Sequence, residues 1–387
     1  MKAGLFGYGV VGSGIYEFLI RDEMRNDIQV MRVLERRDAP EIAAIRTTNA
    51  DDIINDPQID TVISVLGGFE PEHEFAVKVV KAGKNLVTAN KLMLAENYAE
   101  IMREARKSGA SVAFSATVGG GIPFLKNLAL VSHADTVDEV GGIMNGTTNF
   151  ILDNMQSRGA DFADSLAEAQ RRGYAEADPS ADIDGIDLRS KLALCADVAF
   201  NGCCRPCDIP TFGVRHITKR DIDIFRTSNL RVRLVARAFR SDEGIIAYCE
   251  PTLVGAGKPE YSVYGVENYI YYVGQRTGRH GFSGFGAGRK TTAVNVYLDA
   301  IDVAIDRSPF DRIGVEDEIK FTPDGDSHRY YLRTKATLPE NLGIEARFGQ
   351  GIYVTEPVGI GRMHRMVSEQ LSKEDPNTFF AGWEEQN

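Results

Sequence analysis

The segment Lys2-Ala3-Gly4-Leu5-Phe6-Gly7-Tyr8-Gly9-Val10-Val11-Gly12-Ser13-Gly14 decides the fold. Its first five residues are a short, mostly apolar run, and Gly7, Gly9 and Gly12 follow in the spacing G-x-G-x-x-G. In a strand–turn–helix the first glycine makes the tight turn. The second lets the backbone approach a pyrophosphate, and the third lets helix and strand pack closely. Behind them Ile15, Phe18, Leu19 and Ile20 supply a helical apolar face. The competing reading is a plain glycine turn. The second strand candidate, Ile28–Leu34, ends in Leu34-Glu35-Arg36-Arg37. An acid there would hold the ribose of NAD, whereas an arginine favours the 2′-phosphate of NADP. Both signals are present, and the reading leans to NADP through Arg36 or Arg37.

Working outward, Ile42–Thr48, Asp60–Leu66, Asn85–Thr88 and Ser111–Phe114 read as further strands, with helices over about Pro71–Ala82 and Ala95–Ser108. This β/α alternation predicts an α/β fold with a Rossmann-type doubly wound parallel sheet over residues 1–130. Beyond Gly121 the rhythm changes. Val137–Met144 reads as a strand, and Phe150–Gln156, Phe162–Arg172 and Leu188–Phe200 read as helices. Leu230–Phe239 and Ile245–Val254 alternate like half-buried antiparallel strands. Residues 131–290 are therefore expected to be a second, α+β domain. A helix over 291–305 should pack back on the first domain, 306–327 reads as a linker, and 328–387 as a small appendix.

Length and composition fit this plan. The chain has 387 residues, 43% hydrophobic and 26% charged, with a formal charge of −11. An acidic balance offers no electrostatic footprint for nucleic acid or anionic membranes. The sequence contains no apolar run of the length that a membrane span needs. The N-terminus carries glycines where a signal peptide would have its apolar core. Five cysteines, an odd and low number, suit a cytoplasmic chain with reduced thiols. Cys204-Arg205-Pro206-Cys207 is a C-x-x-C without a second metal-spaced pair, and reads as structural thiols.

The stretch from Gly173 to Lys191 is the richest in chemistry. Five carboxylates lie between Glu176 and Asp187. A calcium loop of EF-hand type fails, because Lys191 would stand where the bidentate glutamate belongs. Asp187 and Lys191 are four apart and share a helix face. That pairing is equally compatible with a structural ion pair and with a catalytic one.

These residues carry a resemblance. The segments GLFGYGVVGSG (4–14), GKNLVTANKLMLA (83–95), ATVGGGIP (116–123), GIMNGTTNFIL (142–152), GYAEADPSADIDGIDLRSKL (173–192) and GFGAGRKTTA (284–293) resemble the homoserine dehydrogenase family, in the family's order. The resemblance implies reversible, NAD(P)-dependent interconversion of L-homoserine and L-aspartate 4-semialdehyde. It implies Lys191 as proton donor, Lys91 as second active-site lysine, and Glu176 and Asp187 as substrate ligands. Cofactor contacts would come from Gly7, Gly9, Val10, Val11, Gly12, Gly67, Thr88, Lys91, Gly173, Gly284 and Gly286. The family's second domain also builds a subunit interface, so a homodimer or tetramer is expected.

Two departures stand out. Ser64 and Ser115 occupy positions where the family usually has glutamate. The second glutamate belongs to a sodium site, whose backbone carbonyls here would be those of Val118, Gly120 and Ile122. Residues 328–387 resemble a degenerate ACT-like unit, a βαββαβ regulatory module, in which Thr337–Gly343 is too short for the first helix. Weak or absent feedback by threonine is the corresponding expectation. Two other readings compete with an active dehydrogenase of this family: an oxidoreductase for a related amino aldehyde, and a silent paralogue.

Overall fold

Lys2–Phe6 (β1) is the centre from which the first sheet grows; in the computed structural model, which describes residues 1–21 and 28–383, all of β1 but Lys2 is buried. The chain folds into two compact units. The first holds Met1–Val137, Leu194–Cys204 and Gly284–Glu318; the second holds Asp138–Ala193, Arg205–Ser283 and everything from Ile319.

In the first unit β2 (Gln29–Leu34), β3 (Arg46–Thr47), β4 (Thr61–Ser64), β5 (Asn85–Thr88) and β6 (Val112–Ala113) join β1 in a six-stranded parallel sheet, ordered β3-β2-β1-β4-β5-β6. The order reverses between β1 and β4. In open α/β sheets the carboxyl ends at such a switch point form the ligand crevice. The helices are α1 (Val10–Arg21), α2 (Asp51–Ile54), α3 (Glu72–Lys81), α4 (Lys91–Ser108), α5 (Phe124–Ser132) and a later helix, Arg289–Ala304, which packs on α1.

Three expectations change here. Of the strand read over Ile42–Thr48 only Arg46–Thr47 is extended; a 3₁₀ turn, Pro40–Ile42, started by proline and pinned by the buried Ile42, leads into turn residues 43–45. Helix α4 begins at Lys91 rather than Ala95, because Asn90 caps it: its Oδ1 accepts from the N–H of Met93 at 3.1 Å. Residues 306–318 do not behave as a linker. Phe310, Ile313 and Val315 are buried, and Phe310 stacks on Phe114 with ring centroids 4.1 Å apart. Composition misled because the charges face out while these three apolar side chains plug the core.

The second unit is a larger mixed sheet. Its strands are β7 (Val137–Ile143), β8 (Leu230–Ser241), β9 (Gly244–Gly255), β10 (Glu267–Gly274), β11 (Gly278–Phe285), β12 (Ser327–Arg333), β13 (Ile344–Arg347), β14 (Ile352–Thr355), β15 (Val358–Gly359) and β16 (Phe379–Trp383). The order is β11-β10-β7-β8-β9-β16-β12-β14-β13, with β15 paired to β12. Its helices are α6 (Gly146–Arg158), α7 (Phe162–Arg171), α8 (Ser180–Ile183), α9 (Ile186–Phe200, whose last residues belong to the first unit) and α10 (Lys219–Thr227). The helix Arg289–Ala304 is α11 in this numbering, and α12 (Ile360–Met366) and α13 (Ser372–Glu374) follow.

Strands β8 and β9 form a twelve-residue ladder, but β9 is buried along nearly its whole length rather than half-buried. Helices α6 and α10 pack on β8, and the turn Pro259–Ser262 lies over both strands. The carboxy-terminal strands continue this sheet: β16 pairs in parallel with β9 and antiparallel with β12. Within the segment the path runs β16-β12-β14-β13, and no helix lies between β12 and β13.

Candidate functional site

The glycine loop leaves β1 with Gly7 at φ +93°, a conformation that favours glycine. A Cβ on Gly12 would stand 2.0 Å from the Gly7 carbonyl oxygen, so only glycine lets α1 start this close to the strand. A Cβ on Gly9 would meet nothing within 4 Å: that backbone is open for a ligand. Val10 and Val11 begin α1, whose free N–H groups favour an anion. Beside the loop lies a cleft of about 700 Å³ lined by Tyr8, Gly9, Val10, Arg37, Glu41 and Arg289. These features fit a dinucleotide pyrophosphate.

Glu35, at the end of β2, faces that loop. Its Oε2 accepts the Tyr8 N–H at 3.0 Å, and its Oε1 accepts the Arg37 N–H at 3.0 Å and Nε–H at 3.1 Å. The Arg37 guanidinium, helped by the two backbone N–H groups, holds the Glu35 carboxyl down at about 2. Arg37 lines the cleft, whereas Arg36 is exposed and is not among its lining residues.

At the carboxyl ends of β4 and β5, one side chain ties the expected contacts together. Asn90 donates through Nδ2 to the carbonyls of Leu66 (3.1 Å) and Gly68 (2.6 Å), and its N–H bonds Thr88 Oγ1 at 3.1 Å. Gly67 thus sits in a fixed turn, Thr88 is buried, and Lys91 is the first residue of α4. Ser64 donates its hydroxyl to Glu72, one of the most buried carboxyls of the chain. Burial pushes that carboxyl up to about 7. At the other departure Ser115 donates both N–H (2.7 Å) and hydroxyl (2.6 Å) to buried Asp299. Of the three carbonyls read as cation ligands, those of Gly120 and Ile122 accept from Asn295. Gly286 lies against Gly120, where a Cβ would stand 2.5 Å from the Gly286 oxygen, and Gly284 lies against Ile122.

In the second unit the lysine is held from two sides. Lys191 Nζ donates to the Met144 carbonyl at 2.6 Å and to Asp187 Oδ2 at 2.7 Å. Both side chains are at least nine-tenths buried, so the carboxylate matches a charge that burial would otherwise leave bare. Asn145 caps α6, accepting the Thr148 N–H at 2.9 Å, and spends its Nδ2 on Asp187 (2.8 Å) and Asp182 (2.7 Å). Burial, reinforced by the Asp187 charge, raises the Asp182 carboxyl above its usual range. The sequence reading missed Asn145 and Asp182 as members of this network. The signal was the asparagine opening Asn145-Gly146-Thr147-Thr148, which is the N-cap pattern of a helix.

Glu176 takes no part in that network among the described residues; its side chain is exposed. Its turn is fixed by backbone: Gly173 ends α7 at φ +74°, and Thr147 Oγ1 donates to the Tyr174 carbonyl at 2.5 Å. The expected residues thus fall into two groups, one on the parallel sheet and one around the start of α9.

A glycine loop of this kind on a sheet of this order places the chain among the dinucleotide-binding oxidoreductases. Comparison with known proteins narrows the class. A family model described as the NAD-binding domain of homoserine dehydrogenase matches residues 7–115, and one described as homoserine dehydrogenase matches 123–301. The chain belongs to the homoserine dehydrogenase family. It is 34% identical to the Pseudomonas aeruginosa homoserine dehydrogenase over 87% of this chain and 82% of that one. To the Synechocystis enzyme it is 37% identical, over 78% and 73%. A crystal structure of a Thiobacillus denitrificans homoserine dehydrogenase superposes with a TM-score of 0.87 at 30% identity, covering 100% of this chain and 98% of that one.

Proposed function

We propose that Lys191 moves the proton in the reversible interconversion of L-homoserine and L-aspartate 4-semialdehyde. The observation that carries this is the placement of its Nζ, fixed by Asp187 and the Met144 carbonyl at the start of α9. The nicotinamide dinucleotide supplies or accepts the hydride when bound. As the aldehyde is reduced, negative charge develops on its oxygen; an ammonium directed there stabilises that charge and delivers a proton. In the reverse direction the same amine takes the proton from the alcohol. Asp187 orients and neutralises Lys191 and, as the resemblance implies, is also a substrate ligand; Asn145 in turn orients Asp187.

The remaining roles follow the resemblance. The exposed carboxylate of Glu176 receives the substrate ammonium, which selects an amino acid over a simple aldehyde. Lys91, at the start of α4, is the second lysine, with Gly67, Thr88, Gly173, Gly284 and Gly286 on the cofactor side. NADP is the preferred cofactor, with Arg37 rather than Arg36 reaching its 2′-phosphate, because Arg37 lines the cleft. The working unit is a homodimer or tetramer, and the low, odd number of cysteines suits the cytoplasm. The carboxy-terminal strands act as a degenerate ACT-like unit without strong threonine feedback.

The test is spectrophotometric: purified protein with homoserine and each of NAD and NADP. Cofactor reduction, faster with NADP and nearly unaffected by millimolar threonine, is the expected result. No reduction with either cofactor would overturn the assignment.

A further inference from the structure

The loop 115–122 carries the backbone carbonyls that the resemblance reads as a sodium cradle, and side chains of α11 already fill it. We infer that this chain holds the loop with Asn295 and Asp299 in place of a bound cation, and that it takes no monovalent ion there.

The geometry is specific. Asn295 and Asp299 lie one turn apart on α11, and both are buried. Asn295 Nδ2 stands 2.6 Å from the Gly120 oxygen and 3.1 Å from the Ile122 oxygen. An amide nitrogen has two hydrogens, so one group satisfies both carbonyls. Its partial positive charge lies where an ion shared by those carbonyls would have to lie. The charged ligand is missing as well. Position 115 is serine, and its N–H and hydroxyl both point their protons at Asp299. Each Asp299 oxygen is therefore committed to Ser115 rather than to a cation.

The loop has no slack with which to accommodate both. Gly120 sits at φ +55°, and even a Cβ there would collide with the Gly286 oxygen at 2.5 Å. A cation between the carbonyls would have to expel the Asn295 amide into a packed interior and leave its polar atoms unpaired. The two residues work together. A serine at 115 removes the negative charge a cation needs, and an asparagine at 295 supplies neutral donors for the carbonyls left behind.

The test compares NaCl, KCl and choline chloride at one ionic strength, using thermal unfolding and the ²³Na NMR line width, neither of which depends on activity. Wild-type protein should melt at the same temperature in all three salts and should not broaden the sodium line. The double variant Ser115→Glu with Asn295→Ala, which restores a charged ligand and empties the cradle, should melt lower in choline and recover by roughly 2–4 °C in sodium. Should that variant not fold, Asn295→Asp serves. It puts a carboxylate against two carbonyls and should be stable only with a cation between them. A saturable, sodium-specific rise in the wild-type melting temperature would overturn the inference. So would a folded variant as indifferent to sodium as the wild type.

Discussion

Lys191 and Asp187 form a buried ion pair across one turn of α9, with Nζ 2.7 Å from Oδ2. Replacing Lys191 by alanine should reduce turnover by ~10²–10⁴, the usual scale for a general acid. The proposed nucleotide site is the glycine loop, so fluorescence titration with the dinucleotide should give a nearly unchanged dissociation constant. A variant with wild-type turnover would remove Lys191 from the mechanism.

Among the described residues the Arg37 guanidinium is held by the Glu35 carboxylate, which it must give up when a phosphate arrives. Arg37→Ala should raise KM for NADP by ~10-fold, the scale of one charge-assisted hydrogen bond, and leave KM for NAD almost unchanged. Equal effects on the two cofactors would place Arg37 away from the 2′-phosphate.

Glu72 is a carboxyl kept protonated by its surroundings. It is buried, Ser64 holds one oxygen, and Oε2 has no hydrogen-bond partner among the described residues. Burial raises it to about 7. Between about pH 4.3 and 7 the folded chain therefore keeps a proton that the unfolded chain has released. Stability falls as pH rises through that window and the loss is complete above it. Glu72→Gln, which keeps the shape without the titration, should lose less stability between pH 5 and 8 than the wild type, by about 1–3 kcal/mol. Urea unfolding at the two pH values measures it. Parallel losses in variant and wild type would contradict the burial argument.

Glu250 is held the opposite way. It is fully buried on β9, which alone would raise its carboxyl. Its oxygens, however, each lie 2.8 Å from a histidine Nε2, those of His328 and His364, and the net effect is to hold the carboxyl below its usual range. That stabilisation is present above the unfolded carboxylate range and is lost as pH falls through the depressed folded value. Glu250→Gln should cost ~1.5–3 kcal/mol at pH 7, the scale of a hydrogen bond to a charged group, and should flatten the acid limb of unfolding. A variant as stable as the wild type would mean that the histidines do not depend on Glu250.

Much of the parallel sheet was legible because its signals are local. The glycine spacing, the short apolar runs and the prolines each act within a few residues. Boundaries failed where a neighbour decided them. The Asn90 cap moved the start of α4 back to Lys91, and the packing of Phe310 against Phe114 absorbed a stretch whose charges read as linker. In the site, Asp187 and Lys191 were readable from helical spacing. Asn145 and Asp182 join them from other elements, 42 and 5 positions from Asp187, and no period links those numbers. Ser64 and Ser115 looked like lost charges. Their compensating partners, Glu72 and Asp299, lie on other elements, and for Asp299 the separation is 184 residues.

The parallel pairing of β16 on β9 has a consequence for biosynthesis. Thr252 and Leu253 pair with Arg233 and Val232 of β8 on one side, and on the other with Gly382 and Trp383, almost the last described residues. On the ribosome β9 emerges about 120 residues ahead of the strand that covers it, a delay on the order of ten seconds at ordinary elongation rates. Throughout that interval the Thr252–Leu253 end of β9 lacks its outer neighbour, although the earlier segment 210–212 already bonds Cys249; an open edge is the geometry that recruits foreign strands. A premature stop before Phe379 would make the exposure permanent. Truncated chains should therefore be cleared by quality control as aggregation-prone products rather than persist as shortened enzymes.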